Sequence, residues 1–166
     1  MKIKNILFVT FLFTAGIFVK AEKSVIIAQP EDTPLLITDF ECSYSEAFSR
    51  YPASIDHEVS YRNRSGKTIV ALQIGISAFD AFNGHMGRFS GWAIETITDG
   101  ASNSGEWAQK PYGTFKFEKY GTGVCWVNAV RFEDGTVWRA NMAKILIELQ
   151  KYQKDLKAAD LEDKKK

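Results

Sequence analysis

His57–Asp80, HEVSYRNRSGKTIVALQIGISAFD, is the stretch that decides the fold. His57, Val59, Tyr61 and Asn63 alternate with Glu58, Ser60, Arg62 and Arg64, the period-two pattern of a half-buried strand. Ser65-Gly66 supplies a turn, after which Thr68, Val70, Leu72, Ile74, Ile76 and Ala78 form the apolar face of a longer strand. The other face, Ile69, Ala71, Gln73, Gly75 and Ser77, is small and mixed. Two such runs separated by a short turn predict a β-hairpin.

The same reading extends outward. Val124–Phe132 alternates again, with Trp126, Asn128 and Val130 on one face and Cys125, Val127 and Ala129 on the other, and Asp134-Gly135 is a strong tight-turn signal before Val137 and Trp138. On the N-terminal side, Pro30 and Pro34 confine pairing of the neighbouring apolar runs to edges and turns. Ser43 and Glu46 have capping-box spacing, which predicts a short helical turn from Tyr44 to Arg50. Eight of the twelve glycines fall between Asn83 and Gly123, so this stretch reads as punctuated β structure with short strands through Phe89–Ile97 and Thr114–Glu118 and a loop from Thr98 to Tyr112. Ile145, Leu146, Leu149, Tyr152 and Leu156 recur at three- and four-residue spacing, an amphipathic C-terminal helix. The expected fold is all-β: an antiparallel β-sandwich of about seven strands over residues 22–141, with the helix and a Lys-rich tail in 142–166.

Residues 1–21 read as a cleaved secretory signal. Lys2 and Lys4 precede an apolar run from Ile6 to Val19, and Val19-Lys20-Ala21 gives a V-x-A cleavage site. The run is short for a membrane span, which needs about 20 residues. The expectation is therefore an exported protein, periplasmic or extracellular, with no membrane span once the signal is removed. Of the 21 basic residues, three lie in the signal and six in the tail from Lys151, so residues 22–150 carry 12 basic groups against 16 acidic ones. A mildly acidic body gives no electrostatic footprint for nucleic acid.

His57–Asp80, with its extended strand, Asn63-Arg64-Ser65 turn and terminal Phe79-Asp80, resembles the B–C hairpin of small exported bacterial immunoglobulin-like domains, among them the FxLYD-like modules. Val130–Trp138 resembles their closing hairpin. The resemblance covers about a third of the chain beyond the signal and departs from the family at the glycine-rich insertion from Asn83 to Tyr112 and at the C-terminal helix. It implies an immunoglobulin-like sandwich and carries no catalytic residue.

Chemistry-bearing residues are few. Cys42 and Cys125 in an exported chain are expected to pair as a disulfide, with two separate buried thiols as the alternative. His57 has Asp56 and Glu58 beside it, but strand neighbours point to opposite faces and cannot orient its ring. Two histidines and two cysteines do not supply a zinc site, and neither a Walker-type loop, a G-x-S-x-G elbow nor a dinucleotide fingerprint is present. No cofactor, metal or catalytic residue is assigned, and the chain is read as a non-enzyme. Asn63-Arg64-Ser65 fits the glycosylation pattern formally but reads as turn chemistry. The candidate binding surface is the glycine-rich insertion, with His85, Arg88, Trp92, Trp107 and Tyr112, because aromatics beside hydrogen-bonding groups grip peptides or sugars. The expected function is an envelope binding domain for a protein or another envelope component. The alternatives are a carbohydrate- or small-ligand-binding module using Trp92 and Trp107, and, further off, a small hydrolase.

Overall fold

The computed structural model describes residues 24–45, 52–109 and 119–161. The segment expected to be a signal, most of the short helical turn expected at Tyr44–Arg50, the strand expected at Thr114–Glu118, and the last five residues of the tail lie outside them. Eight strands run through the described residues: β1 (Ser24–Ile27), β2 (Leu35–Ser45), β3 (Ser54–Asn63), β4 (Ile69–Asp80), β5 (His85–Ala93), β6 (Ser102–Gln109), β7 (Tyr120–Phe132) and β8 (Val137–Arg139). They are followed by helix α1 (Met142–Gln150) and a 3₁₀ turn, Ala158–Leu161. The strands make two sheets. One has the order β2-β3-β6; the other has the order β1-β7-β4-β5, with β8 also on β7. All pairings are antiparallel except β1 on β7. Because β4 occupies one edge of β7, β1 at Thr122–Cys125 and β8 at Ala129–Arg131 share the other.

The expected β3–β4 hairpin is not formed. β3 pairs with β2 and β6, β4 pairs with β5 and β7, and the two consecutive strands belong to different sheets. Their apolar faces stack across the molecule instead of their edges joining. Val59 and Tyr61 of β3 and Leu72, Ile74 and Ile76 of β4 are in one core cluster with Phe40 and Val127. Period-two alternation dictates which face is buried, and face-to-face stacking satisfies it as well as edge pairing does. The arch between the strands is held by Asn63, buried at 0% exposure. Its amide nitrogen donates to the Lys67 and Ile97 carbonyls at 2.7 and 2.8 Å, and its Oδ1 accepts from the Ser65 backbone N–H and hydroxyl. Gly66 takes φ +74°, as the turn requires. The β7–β8 hairpin forms as expected, with Gly135 at φ +82°.

Three further expectations are corrected. β2 continues as strand through Tyr44 and Ser45, where the capping-box spacing suggested helix. The glycine-rich loop expected from Thr98 contains β6, which finds its partner in β3, a non-local pairing that local punctuation does not reveal. The C-terminal helix stops at Gln150, and the stripe continues as turns that still bury Leu156 and Leu161. Asn141 caps α1, its Oδ1 accepting from the Ala143 and Lys144 amides.

Over Ile74–Phe79 and Val124–Val127, β4 and β7 are covered on both faces. Ile74, Ile76, Cys125 and Val127 face the other sheet. Phe79, Val124 and Trp126 face outward, where Ile145 and Leu149 of α1 and Leu156 and Leu161 beyond it cover them. A register shift at Gln73/Ile74 leaves Asn128 as an extra residue in β7, so Val130 returns to the inner core although Trp126 is outside. A second shift, at Ile69/Ala71, buries Ile69 in place of the expected Val70. Gly75 stands opposite Trp126, and a Cβ there would lie 2.4 Å from the indole Cε2. Gly75→Ala should therefore displace Trp126 and cost about 1–3 kcal/mol, read as a lower urea midpoint. A variant as stable as the parent would contradict this packing.

Candidate functional site

The residues proposed from the glycine-rich stretch do not form one surface. On β5, Arg88, Ser90 and Trp92 pair in register with Ser77, Gly75 and Gln73 on the outward face of the five-stranded sheet. Trp107, on β6 in the other sheet, points inward. A Cβ on Gly91 or Gly105 would strike its ring at 2.6 and 2.4 Å, and its Nε1–H donates to the Trp92 carbonyl at 3.1 Å. It plugs the gap between edge strands β5 and β6, and the two glycines give its indole room. Tyr112 lies outside the described residues.

Arg88 and His85 are used internally. The Arg88 guanidinium donates to the Leu161 carbonyl at 2.6 Å and to Asn128 Oδ1 at 3.2 Å, and it lies 5.2 Å from the Trp126 ring centroid. Asn128 in turn donates to Gln73 Oε1 at 2.8 Å. His85 Nε2 is 3.0 Å from Ser77 Oγ, which donates weakly to the Asp160 carbonyl at 3.4 Å. Together these contacts clasp the C-terminal turn to the sheet. Ser77 has 0% exposure beneath that turn, so the Ser77–His85 pair holds structure and does not present a nucleophile.

Among the described members of the proposed set, Trp92 alone is exposed, at 68%. It walls a groove of about 290 Å³ on the half of the outward face that α1 leaves bare. One register row crosses the groove from Trp92 through Gln73 and Ala129 to Arg139. The next row pairs Ala71 with Arg131 and Arg131 with Val137. The floor is thus small and apolar, with Trp92 and Ile94 (91% exposed) on one wall and Val137, Arg131 and Arg139 on the other. Neither arginine makes an ion pair with a described residue. Ile94 and Val137 escaped the sequence reading because each looks like an ordinary strand residue; only the strand order brings them to opposite walls of one groove.

A second constellation was also missed. Cys42 and His57 are register partners on β2 and β3 and share the inward face. Cys42 Sγ lies 3.2 Å from His57 Nδ1 and 3.0 Å from the Tyr120 hydroxyl, and His57 Nε2 lies 3.2 Å from Gln109 Oε1. An amide oxygen only accepts, so this contact places the imidazole proton on Nε2 and leaves Nδ1 as an acceptor facing the thiol. The ring is stacked between Phe40 and Phe89, with centroids 6.1 and 5.6 Å away. The expected Cys42–Cys125 disulfide is not formed. Cys42 is held by β3 and β7 polar groups, whereas Cys125 is 0% exposed in the hydrophobic core. Burial first, and the nearby Cys42 second, push the Cys125 thiol well up; the same causes in the same order raise the Tyr120 hydroxyl. Among the described residues, no three His, Cys, Asp or Glu side chains converge as a metal site requires, and no helix is long and apolar enough to cross a membrane.

Solved structures similar to this chain include two proteins of remote sequence. One is a hypothetical protein of Peptoclostridium difficile 630, 13% identical with a TM-score of 0.47, covering 69% of this chain and 90% of that one. The other is a target of the Northeast Structural Genomics Consortium, 12% identical with a TM-score of 0.43, covering 64% of this chain and 80% of that one. No family model matches the sequence, and no curated protein does.

The two tryptophans once grouped as a single surface should separate on mutation. Trp107→Ala opens a cavity between the sheets and should cost about 3 kcal/mol. Trp92→Ala should stay within about 0.5 kcal/mol. Equal losses in urea unfolding would contradict these assignments.

Proposed function

We propose that the chain is an exported, non-catalytic immunoglobulin-like binding domain of the cell envelope that captures an extended protein segment in the Trp92 groove. The signal-like pattern of residues 1–21 supports export. The strand order supports the immunoglobulin-like reading. β2-β3-β6 corresponds to strands A-B-E, and β5-β4-β7-β8 to C′-C-F-G, with the chain crossing between sheets after β1, β3, β5 and β6.

The observation that carries the binding reading is the groove. In a body whose acids outnumber its bases, two exposed arginines stand on one wall and an exposed tryptophan and isoleucine on the other. An occupant with apolar side chains for the alanine floor and a carboxylate for Arg131 and Arg139 satisfies both walls. The flanking edge strands β5 and β8 run along the groove, which suits an extended segment. The same tryptophan could stack a sugar ring, but the paired cations favour an acidic peptide.

Selection of a random peptide library on the immobilised domain should return sequences that alternate apolar and acidic residues. Trp92→Ala should weaken a selected peptide at least about 30-fold, as for an aromatic anchor. Arg131→Ala with Arg139→Ala should weaken it and reduce its salt dependence. No enrichment, or binding indifferent to Trp92, would overturn the reading; enrichment on a glycan array in place of peptides would transfer the groove to carbohydrate.

A further inference from the structure

The Cys42 cluster lies at the opposite end of the sandwich from the groove. Cys42 Sγ would be 3.1 Å from a Cβ on Gly123, whose register partner is Ala78, whereas the groove is centred on Leu72 and Val130. Six residues of strand separate the two regions, about 20 Å. Nothing in the groove's proposed use explains why a thiol, an imidazole, an amide and a phenol are in contact here.

The four groups are ordered as a chain. Gln109 fixes the His57 tautomer; Phe40 and Phe89 fix the ring plane; Nδ1 faces Cys42 Sγ at 3.2 Å; and the Tyr120 hydroxyl shares a hydrogen bond with the sulfur at 3.0 Å from the other side. A thiol beside a base that is itself oriented by a third group is the arrangement that generates a nucleophilic thiolate. Cys42 keeps partial exposure, unlike Cys125. Among the described residues, the titratable groups facing it are His57 from β3 and Tyr120 and Cys125 from β7. Trp107 and Gln109 of β6 and Phe89 of β5 are uncharged, and Glu41, Asp56 and Glu58 occupy the alternate, outward register positions. None of the described groups facing it is a carboxylate, and the histidine supports formation of a thiolate.

We propose that Cys42 is an activated thiol, a modification site for small uncharged electrophiles, with hydroperoxides as its chemical class. Phe40 and Phe89 stack on the His57 ring and the Gly123 backbone lies against the sulfur, an apolar setting that suits a small neutral reagent. His57 Nδ1 takes the Cys42 proton, and the thiolate attacks one peroxide oxygen. The O–O bond breaks, and the proton passes from His57 to the leaving oxygen. Sulfur is oxidised by two electrons to the sulfenic acid, and the peroxide is reduced to an alcohol or, for hydrogen peroxide, water.

The purified protein is treated first with iodoacetamide, which reports thiolate by forming a sulfur–carbon bond with loss of iodide, and the two cysteine peptides are quantified by mass spectrometry from pH 5 to 9. Cys42 should label under native conditions, with its rate reaching a plateau at least one unit below the about 8.5 of an ordinary thiol. Cys125 should label only after denaturation. His57→Gln should slow Cys42 labelling at pH 7 by about tenfold or more and move the profile toward that of an ordinary thiol. Should His57→Gln not fold, the parent profile alone decides. Failure of native labelling, or a rate still rising through pH 8.5, would overturn the activated thiol. In the second arm, hydrogen peroxide followed by dimedone should tag Cys42; rapid alkylation without a dimedone adduct would overturn the hydroperoxide assignment.

Discussion

The pairing of β4 with β7 is the constraint on which the rest of the molecule depends. These strands lie side by side in the centre of the larger sheet, and over Ile74–Phe79 and Val124–Val127 both of their faces are covered. On the inner side, Ile74, Ile76, Cys125 and Val127 meet the smaller sheet. On the outer side, Val124 and Trp126 meet the C-terminal segment. A hydrophobic pair buried on both faces is common in parallel sheets and unusual in an antiparallel one, where one face is generally wet. Here the second face exists because α1 and the turn after it fold back over it.

That back-folding divides the outward face. Where α1 and the 3₁₀ turn sit, Arg88, Asn128 and His85 are absorbed into holding them down. Where the cover ends, the sheet carries alanines at its centre and large exposed side chains at its margins. The groove is thus what remains of a sheet face after the chain has covered half of it. The bulge at Asn128 marks the division. It turns Val130 inward and supplies the amide that links Arg88, Gln73 and the Trp126 indole.

How much of this was legible in the sequence follows from how far each signal reaches. Alternation in His57–Asn63 named the buried face of β3 correctly, and Asp134-Gly135 named the β7–β8 turn, because both are local properties. Whether β3 and β4 pair or stack is not local. Asn63 and Gly66 fit a turn in either arrangement, and only the partners β2, β6, β5 and β7 decide between them. The phase slips at Ile69 and Asn128 are invisible for the same reason, since a bulge is defined by the opposing strand. Among the site residues, Trp92 was found because tryptophan in a glycine-rich stretch is conspicuous, but Trp107 looked the same and proved to be a plug. Cys42 and His57 are 15 residues apart and come into contact through the β2–β3 register, while Gln109 and Tyr120 arrive from two further strands. A reading that compared His57 only with Asp56 and Glu58 looked along the chain, when its partners lay across the sheets.

The dependence on β4 and β7 is tested most directly by native-state amide hydrogen exchange followed by NMR. Amides of Leu72–Phe79 and Val124–Val127 should form the slowest set and exchange only through global unfolding, while β1, β8 and α1 open at lower free energy. Exchange of the β4 and β7 amides as fast as those of the edge strands would contradict the account.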